Sequence, residues 1–300
     1  MPETSEMFFP PRAARGTLDF VVSDFPFPLA LTYARLHEEM DRQEPIAAAW
    51  QLRDAFECLL KFTACVAIAD YLHARPEPVQ AGELVGLLLK PQGLSLGDWH
   101  TLLELALKPL EPFARADRLA DSGRGVPALF SVFFECSGRL RPSPLNRQID
   151  GRPESFVAWR NRVFGHGVFQ QDRQWYANET ARWLPTLHAF YTALHPVLAG
   201  WMLVSVTPGG DTVHWQGAGD RVPIAPHAHE PWGEPLSMLL TQSSGPHPRQ
   251  VSFGPLLSVQ ECALCQQPAA FFFDRHRYER EKDRHRTFCL EYWRGHHSER

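Results

Sequence analysis

The stretch from Ile46 to Leu72 constrains this chain more than any other. Trp50, Phe56, Leu59, Leu60, Thr63, Val66 and Ala67 recur there at helical spacing, and Arg53, Asp54 and Glu57 fall on flanking faces. That pattern predicts a long amphipathic helix with an apolar stripe turned inward. Its most apolar part, Phe56 to Leu72, is interrupted by Glu57, Lys61 and Asp70, too short and too polar to cross a bilayer. No membrane association is expected.

Other helical patterns surround it. They run from Leu29 to about Gln43, where Pro45 intervenes, and from Ala81 to Leu89. Others run from Ser95 to Leu107, from Glu154 to Phe164 and from Asp172 to Leu198, the last with a kink allowed at Pro185. Ser95 is placed to cap its helix by accepting from the amides of Gly97 and Asp98. Pro76, Pro78 and Pro109 stand where helices stop. Residues 1–28 are rich in Pro and Phe without periodicity and read as a loosely ordered arm whose aromatics dock on the body. Between Asp121 and Pro153 Gly and Pro are frequent, with Ala128 to Phe134 an apolar run suited to a short helix or a strand.

From Trp201 the character changes. Trp201–Val206, Thr212–Gln216, Ser237–Thr241 and Val251–Val259 are short β-like runs separated by turns such as Pro208-Gly209-Gly210-Asp211. Ala270 to Phe273 and Thr287 to Trp293 read as a final hairpin around a charged loop. The expected class is therefore α+β: an arm over residues 1–28, a helical bundle over 29–200 and a small β-rich module over 201–300.

Composition narrows the function classes. A net charge of -4 removes bulk positive charge as an argument for nucleic-acid binding, although local patches are not excluded. Lysine occurs only at Lys61, Lys90, Lys108 and Lys282, so 26 of the 30 basic residues are arginine. A GC-rich genome explains that bias, and so does selection for guanidinium, which grips phosphate in a bidentate fork. Six cysteines are too few for a disulfide scaffold at this length, and Cys58 and Cys65 read as buried thiols. No basic, then apolar, leader follows Met1, so a cytoplasmic location is expected.

The segment Ser155-Phe156-Val157-Ala158-Trp159-Arg160-Asn161-Arg162-Val163-Phe164-Gly165-His166-Gly167 carries the chemistry. Arg160 and His166 have five residues between them, and a polar Asn161 follows the arginine. This resembles the signature of the HEPN superfamily (higher eukaryotes and prokaryotes nucleotide-binding): an Arg, a polar residue, then a His after four to six intervening positions. The Trp50 to Leu72 helix resembles the long early helix that packs on the motif helix in such bundles. The resemblance spans roughly residues 30–200 and implies a HEPN-like bundle, a homodimer with two facing motifs, and RNA as substrate. It further implies a toxin or anti-phage defence setting, with an antitoxin or defence-system partner protein.

The residue types suit that chemistry. Cleaving RNA without a metal needs a proton moved from the 2'-OH and negative charge stabilised at phosphorus. Histidine exchanges protons near neutral pH, arginine stabilises developing charge on phosphate, and Asn161 orients either by hydrogen bonding. On an ideal helix six residues turn about 600°, leaving Arg160 and His166 about 120° apart, whereas Arg162 and His166 share a face better. Gly165 and Gly167 are placed to bend or end the helix and let the His166 ring swing back. The competing expectation is non-enzymatic: a dimerising interaction module or nucleotide sensor in a larger assembly, with Arg160 merely salt-bridged in the bundle.

Catalysis calls for no cofactor, but a structural zinc is a second expectation. Cys262-Ala263-Leu264-Cys265, then Cys289, then His296 and His297 resemble a zinc-ribbon-like hairpin, with Cys262, Cys265, Cys289 and His296 as ligands. The alternative is a cysteine pair packed beneath the hairpin. The hairpin loop, Asp274 to Arg286, holds six Lys/Arg, four Asp/Glu and two His. It reads as a solvated turn, with an RNA-contacting surface around Tyr278 as the alternative. His214, His227, His229 and Glu230 form a weaker metal candidate, set in a Pro-rich loop.

Overall fold

The computed structural model describes residues 7–74, 78–90, 93–107, 146–149, 152–164, 171–198, 201–206, 212–215, 217–218, 222–223, 237–241, 250–261, 268–280 and 286–294. The described residues are mostly helical: α1 (Asp19–Asp24), α2 (Phe27–Asp41), α3 (Pro45–Ala74), α4 (Pro78–Leu88), α5 (Leu96–Leu107), α6 (Phe156–Phe164) and α7 (Arg173–Leu198). Ala128 to Phe134 lies outside them.

The centre is α3, with α2, α5 and α7 packed against it. Every residue from Leu52 to Ala69 is buried. The expected one-sided stripe is thus corrected, because the strand Gln250–Ser252 and the 3-10 turn that follows it claim a further side. Phe62 meets Phe253 edge-on at 5.8 Å, and the Cys65 thiol donates to the Leu256 carbonyl at 3.7 Å. Arg53, Asp54, Glu57 and Lys61 are therefore inside the fold rather than on wet flanks. Cys58 and Cys65 are buried thiols without a disulfide, and burial pushes Cys58 up to about 12. At α5 the capping serine acts as expected for one amide. Asp98 N–H donates to Ser95 Oγ at 3.1 Å, while Ser95 N–H and Oγ–H both reach Asp98 Oδ2.

The arm is more structured than its composition suggested. It holds a 3-10 turn at Arg12–Ala14 and α1, and Phe9, Val21, Phe25 and Phe27 are buried. The next helix starts at Phe27 rather than Leu29, because Pro28 falls in its first turn, where a missing N–H costs nothing. Gln43, at φ +56°, clamps the arm: its Oε1 accepts from the amides of Phe8 and Phe9 at 2.8 and 2.9 Å, and its Nε2 donates to Phe9 O at 3.1 Å. Leu18 N–H donates to Tyr33 Oη, which also meets His188 Nε2 at 2.9 Å, and Arg15 pairs with Asp41.

This anchor is built for neutral histidine. Burial lowers His37 to about 3 and His188 to about 4, from an ordinary value near 6.5. Each ring binds its proton more readily in the unfolded chain. The stability it contributes is complete above pH 6.5 and drains away as pH falls toward the folded values. Relative to a His37→Gln variant, the wild type should lose about 2–3 kcal/mol of unfolding free energy between pH 7 and pH 4.5. Denaturant melts of the two proteins at both pH values read this directly, and a pH-independent difference would contradict it.

A first pair of strands, β1 (Asn146–Ile149) and β2 (Arg152–Ser155), runs antiparallel just before α6. Residues 154 and 155, expected to be helical, are strand instead, because they pair with Arg147 and Asn146 of β1. Five antiparallel strands form the next sheet, in the order β5 (Val222–Pro223), β4 (Thr212–Trp215), β3 (Trp201–Val206), β6 (Ser237–Thr241), β7 (Gln250–Ser252). The run expected over Val251–Val259 is broken by a 3-10 turn at Gly254–Leu256. Beyond it, β8 (Leu257–Glu261) joins a second sheet with β9 (Pro268–Arg280) and β10 (Arg286–Arg294), in the order β10-β9-β8. Behind β4, Gly217 N–H donates to Phe25 O and Ala218 N–H to Val22 O, both at 2.8 Å. Gly217 has φ +67°, and a Cβ there would sit 2.7 Å from Val22 O, so only glycine fits this seam.

The charged segment expected to be a loop is mostly strand. Asp274 to Arg280 belong to β9, and Arg286 opens β10. Strand pairing demands backbone partners, not apolar side chains.

Candidate functional site

Helix α6 is fixed by its aromatic side. Phe156 and Trp159 are fully buried; Phe156 stacks on Phe56 at 4.4 Å, and Trp159 lies 5.4 Å from Trp183. Trp159 Nε1–H donates to Glu179 Oε2 at 2.7 Å. At the far end, Phe164 lies 4.7 Å from Trp50, with the Arg53 guanidinium 4.1 Å from the Trp50 ring and 5.4 Å from that of Phe164. Both ends of the motif helix are therefore held by packing.

Between them Arg160 leans onto α3. Its Nε donates to Glu57 Oε1 at 3.0 Å and its Nη1 to Asn161 Oδ1 at 3.2 Å. The Glu57 side chain is 6% exposed and that of Arg160 is 35% exposed. The carboxylate is thus an internal brace, and the guanidinium reaches the surface above it. Lys61 Nζ stands 3.8 Å from Glu57 Oε2, and Arg53 donates through Nε and Nη2 to Asp54 Oδ1 at 2.9 and 2.5 Å. Burial pushes Asp54 up to about 6, against the pull of Arg53. Nearby, Glu179 faces Arg182 at 3.4 Å and Arg162 at 4.0 Å.

Five cations (Arg53, Lys61, Arg160, Arg162 and Arg182) thus accompany three carboxylates (Asp54, Glu57 and Glu179). Arg160, Arg162 and Arg182 are the more exposed members of this cluster, and guanidinium groups so placed can hold an anion.

Of the motif residues, Arg160 and Asn161 are brought into contact, whereas His166 lies outside the described residues, two positions beyond Phe164. Cys262, Cys265, His296, His227, His229 and Glu230 lie outside them too. Cys289 is in β10, where the register sets it opposite Arg277. Among the described residues no group of three or more His, Cys, Asp or Glu is placed to hold a metal ion.

Glu57, Lys61 and Glu179 were missed as site residues. The signal was present: Arg53, Glu57 and Lys61 recur every fourth residue inside the most apolar helix of the chain. No protein-family model matches the chain, and neither a curated protein nor a solved structure matches it.

Proposed function

We propose that the chain is a metal-independent endoribonuclease of HEPN type. The observation that supports it is the Arg160 guanidinium, braced from below by buried Glu57 and steadied by Asn161, with its remaining donors near the surface. A preset guanidinium stabilises charge at phosphorus without reorganising during the reaction. His166 would take the 2'-OH proton or give one to the leaving oxygen. The 2'-oxygen attacks phosphorus, the bond from phosphorus to the 5'-oxygen breaks, and the products are a cyclic phosphate and a 5'-hydroxyl. A homodimer would bring a second motif and so the second proton-transfer group. A toxin or defence role in the cytoplasm, silenced by an antitoxin or partner protein, belongs to the same reading. A structural zinc in the C-terminal region would draw on Cys262, Cys265, Cys289 and His296.

The test is incubation of wild type and His166→Ala with total RNA in EDTA, with analysis of the new 3' ends. The expected result is cyclic phosphate ends from wild type alone, with a pH-rate limb near neutrality. Equal cleavage by both proteins would overturn the assignment. A second reading, a dimerising module or nucleotide sensor, is favoured by the same Arg160–Glu57 pair, which already satisfies part of the arginine. It expects no cleavage by either protein, and a raised melting temperature when nucleotides are added.

A further inference from the structure

The strand register of the C-terminal hairpin sorts its charges in a way the linear sequence hides. Among the described residues β8 pairs with β9 only from Pro268 to Phe272, so from Arg275 onward β9 is paired with β10 alone as a two-stranded ribbon. Residues directly opposite across an antiparallel pair share a face, and successive residues alternate faces. The register pairs Arg286 with Arg280, Phe288 with Tyr278, and Leu290 with His276. One face therefore carries His276, Tyr278, Arg280, Arg286, Phe288 and Leu290. It has two arginines, a histidine, a cross-strand aromatic pair and no carboxylate. The opposite face pairs Thr287 with Glu279, Cys289 with Arg277, and Glu291 with Arg275. There two arginines meet two glutamates and the charge cancels.

Mixed signs along the chain are thus resolved into one neutral face and one cationic, aromatic face. The register resets at a bulge: Arg275 pairs with Glu291 and Phe273 with Tyr292, leaving Asp274 without a cross-strand partner.

We propose that this ribbon face binds single-stranded RNA. Bases of any sequence stack on aromatic rings, and arginine meets the phosphates that link them, which is the chemistry of single-strand recognition. Tyr278 and Phe288 are adjacent across the ribbon and offer a platform for one or two bases. Arg280 and Arg286, next along both strands, supply the phosphate contacts. A protein partner has no comparable claim on a face that combines a cross-strand aromatic pair with two arginines. RNA as the ligand rests on the ribonuclease reading above, but the binding does not require the Arg160 site to be catalytic.

The experiment is fluorescence anisotropy with a labelled, unstructured oligouridylate, using the full chain carrying His166→Ala so that the probe survives. Tyr278→Ala and Phe288→Ala should each weaken binding about tenfold or more. Arg280→Ala or Arg286→Ala should reduce the slope of log affinity against log salt by about one each. Arg277→Ala, on the neutral face of the same ribbon, should leave binding within about twofold, with melting temperatures of all variants close to that of the parent. Equal losses from Tyr278→Ala and Arg277→Ala, tighter binding to a duplex than to the single strand, or no binding at all would each overturn the proposal. The catalytic reading is judged separately: cleavage abolished by His166→Ala with binding indifferent to Tyr278 and Phe288 would sink the ribbon and spare the nuclease. The converse pattern would spare the ribbon.

Discussion

Arg160→Ala should lower RNA cleavage by about 10²–10³-fold, the usual cost of removing a donor aimed at developing negative charge. The geometry explains why the effect should fall on the chemical step more than on the fold. Arg160 lies partly at the surface, and Glu57 beneath it keeps Lys61 as a partner at 3.8 Å. Loss of the arginine should therefore cost on the order of 1–2 kcal/mol of stability, leaving a cooperative melt. Arg160→Lys is the sharper comparison. Lysine restores the charge, but it cannot donate to Glu57 and Asn161 while presenting a second edge to phosphate. It should recover less than a tenth of the activity. Single-turnover cleavage measured beside thermal melts separates the two effects. Full activity in Arg160→Lys would mean that charge alone matters and that the brace is incidental.

Glu57→Ala should be the more destructive change. Its carboxylate is buried beside Arg160 and Lys61, and the side chain of Lys61 is only 6% exposed. Removing one member of a buried ionic group strands the others in a poor solvent, at a cost of about 3–5 kcal/mol. A large part of a domain's net stability would go with it. Glu57→Gln keeps the shape and one acceptor and should cost less than Glu57→Ala. Chemical denaturation of both variants gives the numbers. A Glu57→Ala protein within about 1 kcal/mol of wild type would show that the cluster is hydrated and the ion pair superficial.

Much of the architecture was readable because helices announce themselves. The Trp201–Val206 and Ser237–Thr241 runs became strands with those bounds, and Ser95 with Asp98 marked the start of α5. The misreadings share a cause. Side-chain type was taken to report environment, whereas partners decide it. Arg53, Asp54, Glu57 and Lys61 looked wet but compensate one another inside the bundle. Asp274 to Arg280 looked like a turn because their charges are dense, yet backbone pairing with β10 holds them extended. For the candidate site, the adjacency of Arg160 and Asn161 was legible from spacing, but the brace was not. Glu57 lies 103 positions upstream of Arg160, and no local pattern encodes a contact at that distance.

The shared interior of helices and sheets bears on how the chain can be divided. One continuous set of buried side chains runs from Phe9 through α3 to Phe273. Near residue 200 the secondary structure changes, while the described buried residues on both sides belong to one cluster. A fragment ending at Leu198 would bare the flank of α3 that carries Phe62 and Cys65, along with the backbone of Phe25 that Gly217 now covers. The helices use the strands as a wall, so cutting the chain at Leu198 would expose apolar surface that is now covered.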